Sequence, residues 1–266
     1  MPAATIAGYR AQAASPLRIV DLYGTDLIFV NLDRPPLDNP LVRSALSLAI
    51  DRAALATQVL RDGSRPAASL IPPDARGYAY AGEPQLHFDA DEARRQLAAA
   101  GYPGGKNFPR IELAIYTLER TRLLGEALQQ MWHKELGLDV ALLVTEPRVH
   151  LDNQHHHNFA LSLAGWLGDY LDPLSFLDVY LSTSVGHNDS NYLNADYDRL
   201  VAAASATAEP APRFALFQQA ESRFLRDLPA LPLVHRPNVH LVHSSVHGYE
   251  SNLMDMHPYT AIWLEN

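Results

Sequence analysis

The side chains of this sequence best suited to chemistry lie between Gly165 and Asp178. Gly165-Trp166-Leu167-Gly168-Asp169 is followed by Asp172, Pro173 and then Asp178. An aspartate just past a strand is well placed to hold out a carboxylate, which can pair with a cation or share general acid and base work with a second acid. Asp169, Asp172 and Asp178 together therefore admit a carboxylate-based hydrolase. Acids this close are also common in loops, and an aspartate among glycines serves equally as a turn residue. No Gly-x-Ser-x-Gly elbow, His-Glu-x-x-His pair or phosphate-binding loop supports an enzyme.

Imidazoles are the second candidate group, at His150 and in the run His155-His156-His157. Their spacing matches no closed zinc or nickel pattern, and neighbouring histidines in a loop point in different directions. Neither a metal site nor a cofactor is expected. There is no cysteine, which removes disulfides, thiolate metal sites and thiol nucleophiles.

The acids must be held by a fold, and composition bounds it. At 266 residues the chain suits one large domain or a domain with an appendage, with 47% hydrophobic and 19% charged residues. No apolar run approaches the ~20 residues needed to cross a bilayer. The net charge of −9, with 21 scattered Lys and Arg, argues against nucleic acid and suits a cationic or zwitterionic ligand. Met1-Pro-Ala-Ala-Thr-Ile-Ala-Gly has no basic segment followed by an apolar core, so it does not read as a secretory signal peptide.

Phe159 to Ala164 has the length and apolar character of a buried strand, and Gly165 and Gly168 predict that it then breaks into a binding loop. Ahead of it, Leu17 to Val20 and Asp26 to Asn31 read as two short strands separated by Gly24. A helix follows, capped by Asn39 with Pro40 first, and Asp51 restarts it. Residues 63–85 read as a loop rich in Pro, Gly and Ala. Asp89 caps a helix over Ala90 to Ala100. Strand Ile111 to Tyr116, a helix from about Arg120 to Leu136 ended by Gly137, and strand Leu138 to Val144 form a crossover unit that requires parallel neighbours. A short helix after Pro147 and a His-rich loop lead to the central strand. Beyond the loop 172–194, helices Ala195 to Thr207 and Ala211 to Asp227 precede strands Leu231 to Val234 and Val239 to Val242, broken by Pro237, and a terminal strand. The fold class is α/β.

The sequence also resembles the family-5 solute-binding proteins of peptide-importing ABC transporters, which include oligopeptide- and dipeptide-binding members. The resemblance runs through Ile28-Phe-Val-Asn-Leu-Asp-Arg-Pro-Pro-Leu-Asp-Asn-Pro-Leu-Val-Arg43 to Arg52, through Asp91-Glu-Ala-Arg-Arg-Gln-Leu97 with Ala100-Gly-Tyr102, through Gly165-Trp166-Leu-Gly-Asp169-Tyr-Leu-Asp-Pro173, and ends at Ala220-Glu221 and Leu228-Pro-Ala-Leu-Pro-Leu233. It implies one lobe of a periplasmic-binding-protein type II-like fold, a mixed sheet flanked by helices. Members are longer, with two lobes closing on the ligand, so this chain reads as the C-terminal half. Residues 1–26 then lead from the first lobe, 27–236 form the second, ligand-binding lobe, and 237–266 return toward the first.

The resemblance assigns roles. Asp169 pairs with the α-ammonium of a short peptide, and the backbone of Gly165, Trp166 and Leu167 pairs with the peptide as an added strand. An arginine that oligopeptide binders carry just before the central strand is replaced here by Gln154 or a histidine, which leaves Arg148 or His155 to take the ligand carboxylate. Implied partners are the peptide and the permease subunits of an ABC transporter, in a periplasmic or extracellular setting and membrane-associated through the transporter. A lone lobe also leaves its cleft face open, which predicts a homodimer or another partner there.

Overall fold

The computed structural model describes residues 1, 3–73, 80–184 and 186–265. In chain order its elements are α1 (Ala3–Arg10), β1 (Leu17–Val30), α2 (Pro40–Leu48), α3 (Arg52–Ala54) continued by a π-helical turn over Leu55–Leu60, β2 (Arg65–Pro66) and α4 (Ala90–Ala99). Then come β3 (Ile111–Tyr116), α5 (Glu119–Leu136), β4 (Val140–Thr145), α6 (Pro147–His155) and β5 (Leu161–Leu167). The chain finishes with α7 (Leu174–Leu177), α8 (Ala195–Ser205), α9 (Pro210–Asp227), β6 (Ala230–Leu241), β7 (Val246–His247) and β8 (Trp263–Leu264). Of the loop expected over 63–85, residues 74–79 lie outside the described residues.

Local chemistry starts and stops the helices as the sequence predicts. Asn39 accepts the Leu41 N–H at 2.9 Å with Pro40 first in α2, and Asp89 accepts the Glu92 N–H at 2.9 Å to open α4. Gly137 closes α5 in the left-handed region at φ 71°, where a side chain would be strained.

Among the described residues one six-stranded sheet runs in the order β2-β6-β1-β5-β3-β4. β3 pairs parallel with both β4 and β5, whereas β1 pairs antiparallel with β5 and β6, so the sheet is mixed, as expected. In β1, Ile28 and Val30 join one apolar core with Leu124, Leu128 and Trp132 of α5. Leu27 and Phe29 join a second core with Phe217 and Phe224 of α9. A strand buried on both faces reads as a continuous apolar run, and helices cover both sides.

Three expected breaks are absent. Gly24 does not divide β1, because it stays in register opposite Leu167, and Gly165 does not end β5, which continues opposite Asp26, Thr25 and Gly24. Pro237 does not break β6 either. It sits opposite Asp21, where regular pairing lapses until Thr25 meets His235, a place where a residue without an N–H costs no ladder bond. In each case the flanking strand decides the outcome. His155 closes α6 rather than lying in a loop, and the terminal strand is β8, paired with β7.

Glu221 of α9, quoted above within a sequence pattern, has a structural task. Its buried carboxylate accepts the Leu70 and Ile71 N–H groups at 2.9 and 2.8 Å and the Tyr80 hydroxyl at 2.7 Å, tying the loop after β2 to α9. Burial outweighs these three bonds and pushes the carboxyl up to about 7. A carboxyl raised on folding stabilises most when protonated, so its contribution is complete below about pH 4.5 and is lost as pH rises through 7. His235, bonded to the Thr25 hydroxyl at 2.9 Å and pushed down to about 3 by burial and Arg65, acts oppositely and costs stability below about pH 6.5. The informative quantity is therefore a difference. Relative to Glu221→Gln, the native chain should gain up to about 3 kcal/mol of unfolding free energy between pH 8 and 4.5 in urea titrations. A pH-independent difference would refute this account.

Candidate functional site

β5 is paired on one side only over most of its length. It meets β1 from Leu161 to Leu167, but β3 pairs with it only at Leu161 and Ser162. From Leu163 to Leu167 the edge toward β3 has no strand partner among the described residues. Such an edge offers unpaired main-chain donors and acceptors to an extended chain. β3, β4 and β5 are mutually parallel, so their C-terminal ends point the same way, where open α/β sheets take ligands. Leu118, Val144, Leu167, Tyr170 and Leu171 are exposed on the residues at and beyond those ends.

The turn after β5 is fixed from beneath. Gly168 donates its N–H to the Tyr23 carbonyl at 2.8 Å, and a Cβ there would collide with the Tyr23 ring. Buried Ser175 holds two further points: its hydroxyl accepts the Asp169 N–H at 2.7 Å, and its carbonyl accepts the Trp166 indole N–H at 2.6 Å. Trp166 is thus half buried with its polar atom used. The Asp169 side chain is exposed, and its carboxylate takes part in no hydrogen bond or ion pair among the described residues. The turn is tied down at three points, and its acid is unspent among the described residues.

The other two acids differ. Asp172 accepts the Leu174 N–H at 2.9 Å and is gripped bidentately by Arg213 at 2.5 and 2.8 Å, with that guanidinium 4.7 Å above the Phe217 ring. It serves as a turn and ion-pair residue, which leaves the hydrolase reading without one of its acids. Asp178 is half buried, 3.4 Å from the Tyr170 hydroxyl; burial raises its carboxyl, and the neighbouring Asp169 charge adds to the rise. Beside this turn a groove of about 710 Å³ is lined by Leu171, Asp21, Ile19 and the segment from Tyr249 to Met254.

Across β5 lies a network that sequence reasoning missed. Asp26, opposite Gly165, is buried and accepts from Arg120 at 2.6 Å; Arg120 also binds Asp62 and the Ser64 hydroxyl, the latter at 3.0 Å. Arg236 of β6 approaches Asp26 at 3.4 Å. A Cβ on Gly165 would sit 2.9 Å from the Asp26 carboxylate and 3.3 Å from an Arg236 nitrogen. Gly165 is therefore glycine to admit a charge cluster over the strand. The available signal was Asp26 interrupting an apolar run; Ser175 gave none.

Arg148 lies exposed on α6 with no hydrogen bond or ion pair among the described residues. His155 Nδ1 is 3.2 Å from buried Asp189, which also accepts from Gln154 at 2.5 Å, while Gln154 and His150 both meet the Ser162 hydroxyl. Gln154 and His155 are thus engaged internally. No group of three metal-ligating side chains is assembled among the described residues.

Comparison with known proteins gives a consistent picture. The family model described as bacterial extracellular solute-binding proteins, family 5 Middle, matches residues 1–188. The oligopeptide-binding protein OppA of Bacillus subtilis is 28% identical over 208 residues, which is 76% of this chain and 38% of that protein. The probable deoxycholate-binding periplasmic protein YgiS of Escherichia coli is 32% identical over 254 residues, 94% of this chain and 47% of its own length. Among solved structures, the periplasmic oligopeptide-binding protein OppAIV of Borrelia burgdorferi superposes with a TM-score of 0.89 at 29% identity, over all of this chain and 53% of that one. The chain spans less than half the length of these curated relatives, and its fold is periplasmic-binding-protein type II-like.

Proposed function

Because the chain belongs to the family-5 bacterial extracellular solute-binding proteins, we propose that it captures a short peptide, without covalent chemistry, for an ABC importer. The observation that carries this reading is the open edge of β5, Leu163 to Leu167, leading directly to the unpaired carboxylate of Asp169. An extended peptide laid on that edge pairs main chain to main chain and brings its α-ammonium to Asp169, so side-chain sequence matters little. Gly165, Trp166 and Leu167 supply the backbone. Residues 27–236 act as the ligand-binding lobe, with 1–26 and 237–266 leading toward an opposing lobe. The two boundaries fall in β1 and β6 beside the lapse in their pairing, a natural place for strands to flex. The permease subunits of the importer are the macromolecular partners, in the periplasm or outside the cell.

Native mass spectrometry with a mixed library of di- to pentapeptides tests this. Retained peptides with free amino termini, and loss of the same peptides after N-acetylation, are the expected result. Retention of N-acetylated and free forms alike would overturn the ammonium assignment.

A second reading draws on the exposed Leu118, Val144 and Leu167, at 54%, 52% and 46% exposure. A second copy packed on this face would give a homodimer whose dissociation by peptide sedimentation would reveal.

A further inference from the structure

Among the described residues, the neighbourhood of Gly165 contains a cation that is only partly engaged. Arg120 is fully committed, to Asp26, Asp62 and Ser64. Arg236 is not: its guanidinium is partly exposed, makes no hydrogen bond among the described residues, and has only the 3.4 Å approach to Asp26. Its side chain runs from β6 across β1, in contact range of a Cβ on Gly24, to reach Gly165. Tyr116 is the last residue of β3, the strand that neighbours β5 at Leu161 and Ser162 and has parted from it by this point. Its hydroxyl also makes no hydrogen bond among the described residues. Burial raises the Tyr116 phenol, as does the Asp26 charge, while Arg236 and Arg120 pull it down. The Tyr116 ring packs on its other side against His150 at 5.2 Å.

Among the described residues, an arginine with donors to spare thus reaches a strand edge without a strand partner at Gly165, and the phenol at the end of the neighbouring strand β3 has its own donor to spare. We propose that Arg236, helped by the Tyr116 hydroxyl, reads the carboxylate of the bound ligand. This rests on β5 being the ligand strand, and it replaces Arg148 and His155 in that role: Arg148 projects from α6 into solvent, and His155 faces Asp189. The fork of a guanidinium suits a carboxylate bidentately. The placement also limits the ligand. Gly165 and Asp169 are four residues apart in the sequence, so their separation cannot exceed roughly 14 Å. A peptide gripped at both ends is then a short one, because only side-chain reach and the two hydrogen bonds add to that span.

The test is calorimetric titration of the chain with a mixed tripeptide library, prepared as free acids and as C-terminal amides. Amides should bind about tenfold more weakly than acids. Arg236→Gln should bring the acids down to the affinity of the amides and leave the amides unchanged. Tyr116→Phe, which removes one oxygen and keeps the ring, should narrow the ratio by a few-fold on the same reasoning; it stands as the decisive variant where Arg236→Gln does not fold. Equal affinity for acids and amides in the native chain, with both abolished by N-acetylation, would overturn the role of Arg236 while leaving the strand-edge reading intact. Binding of neither form would overturn both.

Discussion

Replacing Asp169 by asparagine should weaken peptide binding roughly 10- to 100-fold, the range for a hydrogen bond to a charged group when its ionic partner is lost. The expectation comes from what the carboxylate does not do in the free protein. It has no partner among the described residues, while the turn that carries it is held through main-chain and neighbouring atoms: the Gly168 and Asp169 N–H groups and the Trp166 indole. Asparagine keeps the size of the side chain and leaves those contacts alone. The loss therefore appears in binding and not in folding, and the variant should melt with the native chain. A double cycle sharpens the point. If Asp169 meets the α-ammonium, N-acetylating the peptide and substituting Asp169 remove the same interaction, so the two losses must not add. Additive losses would place the ammonium elsewhere, with Asp178, already raised by burial, the next acid to substitute.

What the sequence disclosed and what it hid divide along one physical line. Features set within a few residues were readable: the Asn39 and Asp89 caps, the Gly137 stop, and the β3-α5-β4 crossover with its parallel partners. The strand–turn position of Asp169 was readable for the same reason. Features set by partners far along the chain were not. Gly24, Gly165 and Pro237 look like breakers in isolation, yet β1, β5 and β6 run through them because each lies beside a strand that holds it in place or at a lapse where nothing is lost. The Arg120–Asp26 contact joins residues 94 apart, and nothing local to either names the other. Gly165 shows the cost of reading locally: its lack of a side chain suggests backbone freedom, whereas the structure shows charge packed against it.

That charge cluster supports the second large prediction. Arg120→Ala should destabilise the chain by about 3–5 kcal/mol, the usual consequence of stranding buried charge. The Asp26 side chain is only 6% exposed and that of Asp62 14%, and without Arg120 the one cation near Asp26 among the described residues is Arg236 at 3.4 Å. The control is Arg122→Ala on the same helix. Arg122 pairs with Glu126 at 3.1 Å with both side chains well exposed, so its loss should cost below about 1 kcal/mol. Urea unfolding of the two variants side by side reads the contrast, and for a chain of this size the melting temperature of Arg120→Ala should fall on the order of 10 °C. The effect should also reach the site. Asp26 is the residue opposite Gly165, so a carboxylate released from Arg120 either draws Arg236 onto itself or pulls β1 away from β5. Either response takes donors or geometry from the β5 edge proposed to take the ligand, and on that proposal peptide affinity should fall in the surviving folded protein. If Arg120→Ala costs no more than Arg122→Ala, the cluster is not what holds β1 and β5 in register beside Gly165.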